Sequence, residues 1–228
     1  MADRLDGIQI GTGDALTVAF LHGDQTSGGD PNYLANLGLE VAKRLPDATV
    51  HMLLRPGYAD PWGRQSPGDN HDRRDQYTLA NADVIIATLE ALKTDAPLMV
   101  VGHSGGAAQT ALVMSRKTDL IDAAILVGCP CDLDLWVAEN PAWPENMFTR
   151  STSAVDVTPV MAGEVTLIVG EADSVTPEEQ SRRYVRHLLD HGVEARLVTV
   201  PGGDHLGNRS LSTVWLQTVL DVAGRLTR

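Results

Sequence analysis

The sequence predicts an α/β fold, a mainly parallel sheet with helices on both faces. Three observations carry this. Apolar runs of strand length recur along the chain, among them LTVAFL at 16–21 and IDAAILV at 121–127. Between them lie segments with apolar residues at helical spacing. The two patterns alternate to the C-terminus, and strands this uniformly apolar are those covered by helices on both sides.

Taken in order, residues 8–11 predict a short edge strand and 16–21 a buried strand ending at His22-Gly23. Asp30 is an N-cap, with Pro31 at the first helical position. Leu34, Leu37, Val41 and Leu45 form that helix's apolar stripe, and Pro46 stops it. A strand over 50–54 runs into the polar stretch 59–76, a long loop of the kind that usually serves function or motion. Thr78 caps a helix striped by Ala82, Ile85, Leu89 and Leu92. Strands at 98–101 and 121–127 follow, separated by one helix. Residues 131–160 lack sustained periodicity and predict a short lid-like insertion within a single domain spanning 1–228. A strand at 165–169 leads to Thr176-Pro177-Glu178-Glu179, a capping box. The helix behind it is predicted to bury Tyr184, Val185, Leu188 and Leu189 and to end at Gly192. A last strand covers 195–200, and Ser210 caps a closing helix with Leu211, Trp215, Val219 and Val222.

The formal charge of -12 over 228 residues argues against nucleic acid or an anionic membrane as partner, since both select basic surfaces. No apolar run approaches a membrane span. The N-terminus, MADRLDGIQIG, has no basic-then-apolar leader pattern, so the expected location is cytoplasmic. Cys129 and Cys131 flank Pro130. Cysteines so close in sequence are poorly placed for a disulfide and lie beside no other ligand cluster, so they are expected as reduced thiols, with no metal bound.

The chain turns on the stretch 97–117, PLMVVGHSGGAAQTALVMSRK. An apolar strand breaks at Gly102-His103-Ser104-Gly105-Gly106 and a helix rich in small residues follows. A serine hydroxyl is a weak nucleophile that must be presented unhindered to a base and a carbonyl. A sharp strand-to-helix turn does this, and side chains two residues either side of the serine would collide there. The amide of Gly105 opens the helix, where unpaired N–H groups face a developing oxyanion.

The serine needs a base, and the base an orienting acid. Asp173 stands just past a buried strand in Gly170-Glu171-Ala172-Asp173-Ser174-Val175-Thr176-Pro177, and His205 just past the last strand in Gly202-Gly203-Asp204-His205. The order Ser, Asp, His is the one that accompanies such an elbow. With the HG after the first long strand, these motifs resemble the α/β-hydrolase family from about Leu16 to the C-terminus, without a large cap domain.

The resemblance implies Ser104 as nucleophile, His205 as general base and acid, and Asp173 as the acid that orients it. It implies no cofactor. Asp132 and Asp134 follow another strand and are the alternative acids. Glu171 reads as a solvated turn acid, Asp204 as a loop acid, His103 as a packed or hydrogen-bonded neighbour of the nucleophile, and His22 as structural. His51, His71, His187 and His191 have no constellation around them. The second oxyanion donor is expected to be the amide of Asp24, with Gln25 as substitute. A carboxylate facing an oxyanion would repel it, so Asp24 is expected to turn away, its side chain accepting from amides near Thr26 or Ser27 as an Asx turn. Trp136, Trp143, Met147 and Phe148 would either roof the substrate pocket or simply cover the sheet edge, and Tyr58 and Trp62 would form another wall, with Arg73 and Arg74 in solvent. The expected activity is hydrolysis of carboxylic esters with small to medium acyl chains through an acyl-enzyme. A thioesterase uses the same machinery. The alternative of another class is a non-catalytic ligand receptor on the same fold.

Overall fold

The computed structural model describes residues 4–74, 76–142 and 148–228. Trp143 and Met147, expected in the pocket roof, lie outside them. Among the described residues, strands β1 (Gly7–Ile10), β2 (Leu16–Leu21), β3 (Ala48–Leu53), β4 (Leu98–His103), β5 (Ala123–Val127), β6 (Glu164–Gly170) and β7 (Ala195–Val200) form one sheet in the order β1-β3-β2-β4-β5-β6-β7. β1 pairs antiparallel at the edge, and the other pairings are parallel.

Residue alternation divides each inner strand between two cores. Val18, Phe20, Val101 and Ile125 face Val41 of α1 (Ala35–Arg44) and Trp215 and Val219 of α6 (Arg209–Leu226). Ala19, Leu21, Val100 and Ala124 face the other side. There they meet Ile85 and Leu89 of α2 (Leu79–Leu92), Ala107 and Ala111 of α3 (Gly105–Met114), and Tyr184 and Leu188 of α5 (Glu178–Asp190). This double coverage is why β2, β4 and β5 are buried at every position. The carboxyl ends of the parallel strands share one rim, where open sheets of this kind hold their ligands.

Local expectations hold at some element ends and fail at others. Asp30 caps a 3-10 turn, Pro31–Leu34, that leads into α1, and Thr78 caps α2 through the Asn81 amide. Ser210 does not cap α6. Asn208 does, accepting from the Leu211 amide at 3.2 Å, and Ser210 falls inside the first turn. On α5 the buried apolar residues are Tyr184 and Leu188, one turn apart, while Leu189 falls off the stripe and is 53% exposed.

Cys129 and Cys131 are not reduced thiols but are joined in a disulfide. A fully extended chain would hold alternate Cα atoms about 7 Å apart. Here the chain bends at Pro130 and brings them to 5.2 Å, within the range a disulfide bridges. No helix among the described residues is long and apolar enough to cross a membrane.

Candidate active site

Ser104 sits between β4 and α3 with φ 51° and ψ -121°, a backbone conformation that costs a non-glycine residue about 1–3 kcal/mol. The turn leaves no room beside it. A Cβ on Gly102 would lie 2.6 Å from the Ala107 Cα, and one on Gly106 would lie 2.3 Å from the Leu21 carbonyl oxygen. The strain is held by neighbours: the Ser104 amide donates to the Val127 carbonyl at 2.8 Å, and the Ser104 carbonyl accepts from the amides of Ala107 and Ala108.

The loops after β6 and β7 bring Asp173 and His205 to this serine. Ser104 Oγ lies 3.0 Å from His205 Nε2, and His205 Nδ1 lies 2.8 Å from Asp173 Oδ2. A carboxylate only accepts, so Nδ1 carries the proton and Nε2 is free to accept from the serine hydroxyl. Asp173 is held from behind. Its Oδ1 accepts from the Val175 and Thr176 amides at 2.9 and 2.8 Å, and its Oδ2 accepts from the Thr176 hydroxyl at 2.8 Å. Burial pushes the Asp173 carboxyl up, but the His205 imidazole and the Thr176 donors together outweigh it and hold the group below its ordinary value.

Thr176 departs from the capping box. Its hydroxyl goes to Asp173 and lies 3.1 Å from His205 Nδ1, and α5 begins without a side-chain cap. The helix starts at Glu178 with Pro177 in the cap position, so Thr176 stands one residue outside it and its hydroxyl is left to donate to the buried carboxylate. Asp132 lies elsewhere: it caps α4 (Leu133–Glu139) through the Leu135 amide at 3.0 Å and pairs with Arg183 at 2.8 Å.

Gly105 N–H opens α3 and Asp24 N–H follows β2. Among the described residues neither amide has a protein acceptor. The Asp24 amide is aimed by His22, whose Nδ1 donates at 2.7 Å to the Gly23 carbonyl of the same peptide unit, while its Nε2 accepts the Arg55 amide at 3.0 Å. The Gln25 amide is already taken, donating to the Tyr58 hydroxyl at 3.1 Å.

The Asp24 side chain turns away, but not into an Asx turn. Its Oδ1 accepts from Arg55 at 2.7 Å and its Oδ2 from the Tyr77 hydroxyl at 2.6 Å. Energetics decides between the two. A neutral bond to a loop amide is worth about 1 kcal/mol net, whereas leaving a buried guanidinium unpaired costs about 3–5 kcal/mol. Arg55 is 1% exposed and also bonds Gln109 at 3.0 Å. The pair fills the space behind the turn so tightly that a Cβ on Gly105 would sit 1.8 Å from Asp24 Oδ1.

A strand, a glycine-flanked serine, a helix and an imidazole backed by a carboxylate are thus assembled at one rim. Residues 18–157, more than half of the chain, match the model of a family described as the alpha/beta hydrolase family. The chain belongs to that family. A search of the curated proteins found no match. Among solved structures, this hydrolase is similar to esterase PE8, at 23% identity and TM-score 0.67 over 96% of this chain and 99% of that one. It is similar to the monoacylglycerol lipase of Paleococcus ferrophilus, at 16% and 0.68 over 96% and 98%. It is also similar to a puromycin-hydrolyzing peptidase of Mycobacterium tuberculosis, at 21% and 0.70 over 93% of this chain and 34% of that one. At these identities the likeness is one of fold.

The surroundings of this candidate site differ in part from expectation. Tyr58 is buried beneath the loop, its ring against His22 and Arg55. Trp62 is 65% exposed with the Arg64 guanidinium over its ring. Trp136 is buried edge-on against Phe148, which stacks on Tyr77. Arg73 is not simply solvated: it donates to the Gln25 carbonyl at 3.0 Å and lies over the Tyr58 ring. Thr176, Arg55 and Tyr77 were missed by sequence reasoning. Each acts through a contact with a residue distant in the chain or through a side chain diverted from a local role. Among the described residues no group of three or more His, Cys, Asp or Glu is placed to hold a metal ion.

Two histidines of this hydrolase make its stability acid-sensitive. His22 is pushed down to about 3 by burial and then by the Arg55 charge, and His103 to about 3 by burial and then by His205. A folded-state value below the ordinary 6.5 means the unfolded chain binds the proton better. Their contribution is therefore full above that ordinary value and is lost as the pH falls from it toward the folded values. The expected loss is about 2 kcal/mol per histidine between pH 7 and pH 5. Urea midpoints across that range check it, and a flat midpoint would contradict it.

Proposed function

We propose that the protein hydrolyses carboxylic esters through an acyl-enzyme, with Ser104 as nucleophile, His205 as general base and then acid, and Asp173 orienting and charge-stabilising the imidazole. The observation that carries this reading is the unbroken line from Ser104 Oγ through His205 to Asp173, at 3.0 and 2.8 Å. His205 takes the serine proton as Oγ attacks the ester carbonyl, and the negative charge moves onto the carbonyl oxygen. The amides of Gly105 and Asp24 receive it. The imidazolium returns its proton to the departing alcohol, and water repeats the sequence to release the acid.

A further observation supports the reading. The Asp24 carboxylate, which would oppose an oxyanion if it faced one, is bound by Arg55 and Tyr77. We read the segment that carries Trp136 and Phe148, whose rings meet edge-on, as a short roof within a single domain that covers a small to medium acyl chain. The esterase and the lipase among the similar structures are in keeping with this chemistry. A series of p-nitrophenyl esters of increasing chain length, run beside matched acyl-thioesters, tests it. Turnover of the short and medium oxygen esters is expected. Preference for the thioesters would make the protein a thioesterase, and no turnover of either would favour a receptor on the same fold.

A further inference from the structure

The proposed mechanism leaves one buried network unused, and it crosses the site. His103, beside the serine, is buried between His205 and Trp215, ring centroids 5.1 and 5.5 Å away. Its Nε2 lies 2.9 Å from the His205 carbonyl oxygen, and its Nδ1 meets the Tyr33 hydroxyl. The Tyr33 oxygen in turn accepts the Gly23 amide at 2.7 Å. Only one proton arrangement satisfies every member. A carbonyl only accepts, so His103 Nε2 carries hydrogen. Nδ1 then accepts from the Tyr33 hydroxyl, which leaves the phenol oxygen to accept from Gly23. Burial, and then the charge of His205, keep His103 neutral, and burial of its hydroxyl end keeps Tyr33 protonated although the residue as a whole is 39% exposed.

The network ties together segments far apart in sequence: the turn that carries the Asp24 amide, the elbow, and the loop that carries His205. We propose that Tyr33 and His103 are positioning residues that fix the Gly23–Asp24 turn relative to the His205 loop, so that oxyanion donor and base keep one spacing across Ser104. This rests on the ester-hydrolase reading above. Neither residue touches the reacting atoms. Their effect should appear where the transition state is held and not where substrate is first bound.

Tyr33→Phe keeps the ring and deletes one oxygen. The expected result is a fall in kcat of about 10- to 100-fold with KM within about threefold. Affinity for phenylboronic acid, whose serine adduct carries the oxyanion, should fall in parallel. In spectra of protein with 15N-labelled histidine, His103 should be protonated at Nε2 in the wild type, and its Nδ1 resonance should move in Tyr33→Phe. An unchanged kcat in a folded Tyr33→Phe overturns the network and leaves the esterase reading standing. A wild type that neither turns over ester nor binds the boronic acid removes both. Should the variant not fold, the wild-type spectrum decides, since His103 protonated at Nδ1 is incompatible with the arrangement.

Discussion

Replacing Ser104 with alanine is expected to lower ester turnover about 10⁴-fold or more, because it removes the hydroxyl that lies 3.0 Å from His205 Nε2 and would take the acyl group. Ser104→Gly should be as inactive, but the two variants should part in stability. Ser104 is held at φ 51° and ψ -121°, which costs an L-residue about 1–3 kcal/mol, and alanine carries the same burden. Glycine adopts this region freely, and its greater freedom in the unfolded chain takes back only about 0.5–1 kcal/mol. Ser104→Gly should therefore be more stable than wild type by about 1 kcal/mol, read as a higher urea midpoint. An active Ser104→Gly, or one less stable than Ser104→Ala, would show that the turn is not strained for the sake of the hydroxyl.

The second large effect separates two aspartates. Asp173→Asn should reduce kcat about 10⁴-fold. An amide N–H in place of Oδ2 pushes the histidine proton from Nδ1 to Nε2, and the base then faces the serine with a hydrogen instead of a lone pair. Asp132→Asn should keep near wild-type turnover, because Asp132 is occupied with the Leu135 amide and Arg183. Its loss should be one of stability, about 1 kcal/mol, from a weakened cap and a broken pair. Initial rates and urea midpoints of the two variants measure both. The reverse ranking would transfer the acid's role to Asp132.

What was legible in the sequence is what repeats or what obeys a local steric rule. The strands at 16–21 and 195–200 were read with their observed limits because apolar runs between turn residues need no distant information. The elbow was legible because Gly102 and Gly106 answer a clash within the same turn. That Asp173 and His205 meet Ser104 at one rim was legible by their place after strands. The errors come where a side chain had a better partner far away. Thr176 left its cap for Asp173, and Asp24 left its loop amides for Arg55 and Tyr77. The competition between a local bond and a buried charge is invisible until the fold brings the charge near. Cys129 and Cys131 were misread because the bend at Pro130, and not their spacing, sets their separation.

The central claim is that the residue 104 hydroxyl is made nucleophilic by the residue 205 imidazole. A fluorophosphonate probe followed by peptide mapping tests it most directly. One adduct is expected, on Ser104, that an excess of ester substrate suppresses and that His205→Ala fails to form at a comparable rate. An unlabelled protein, or an adduct on any other residue, would contradict it.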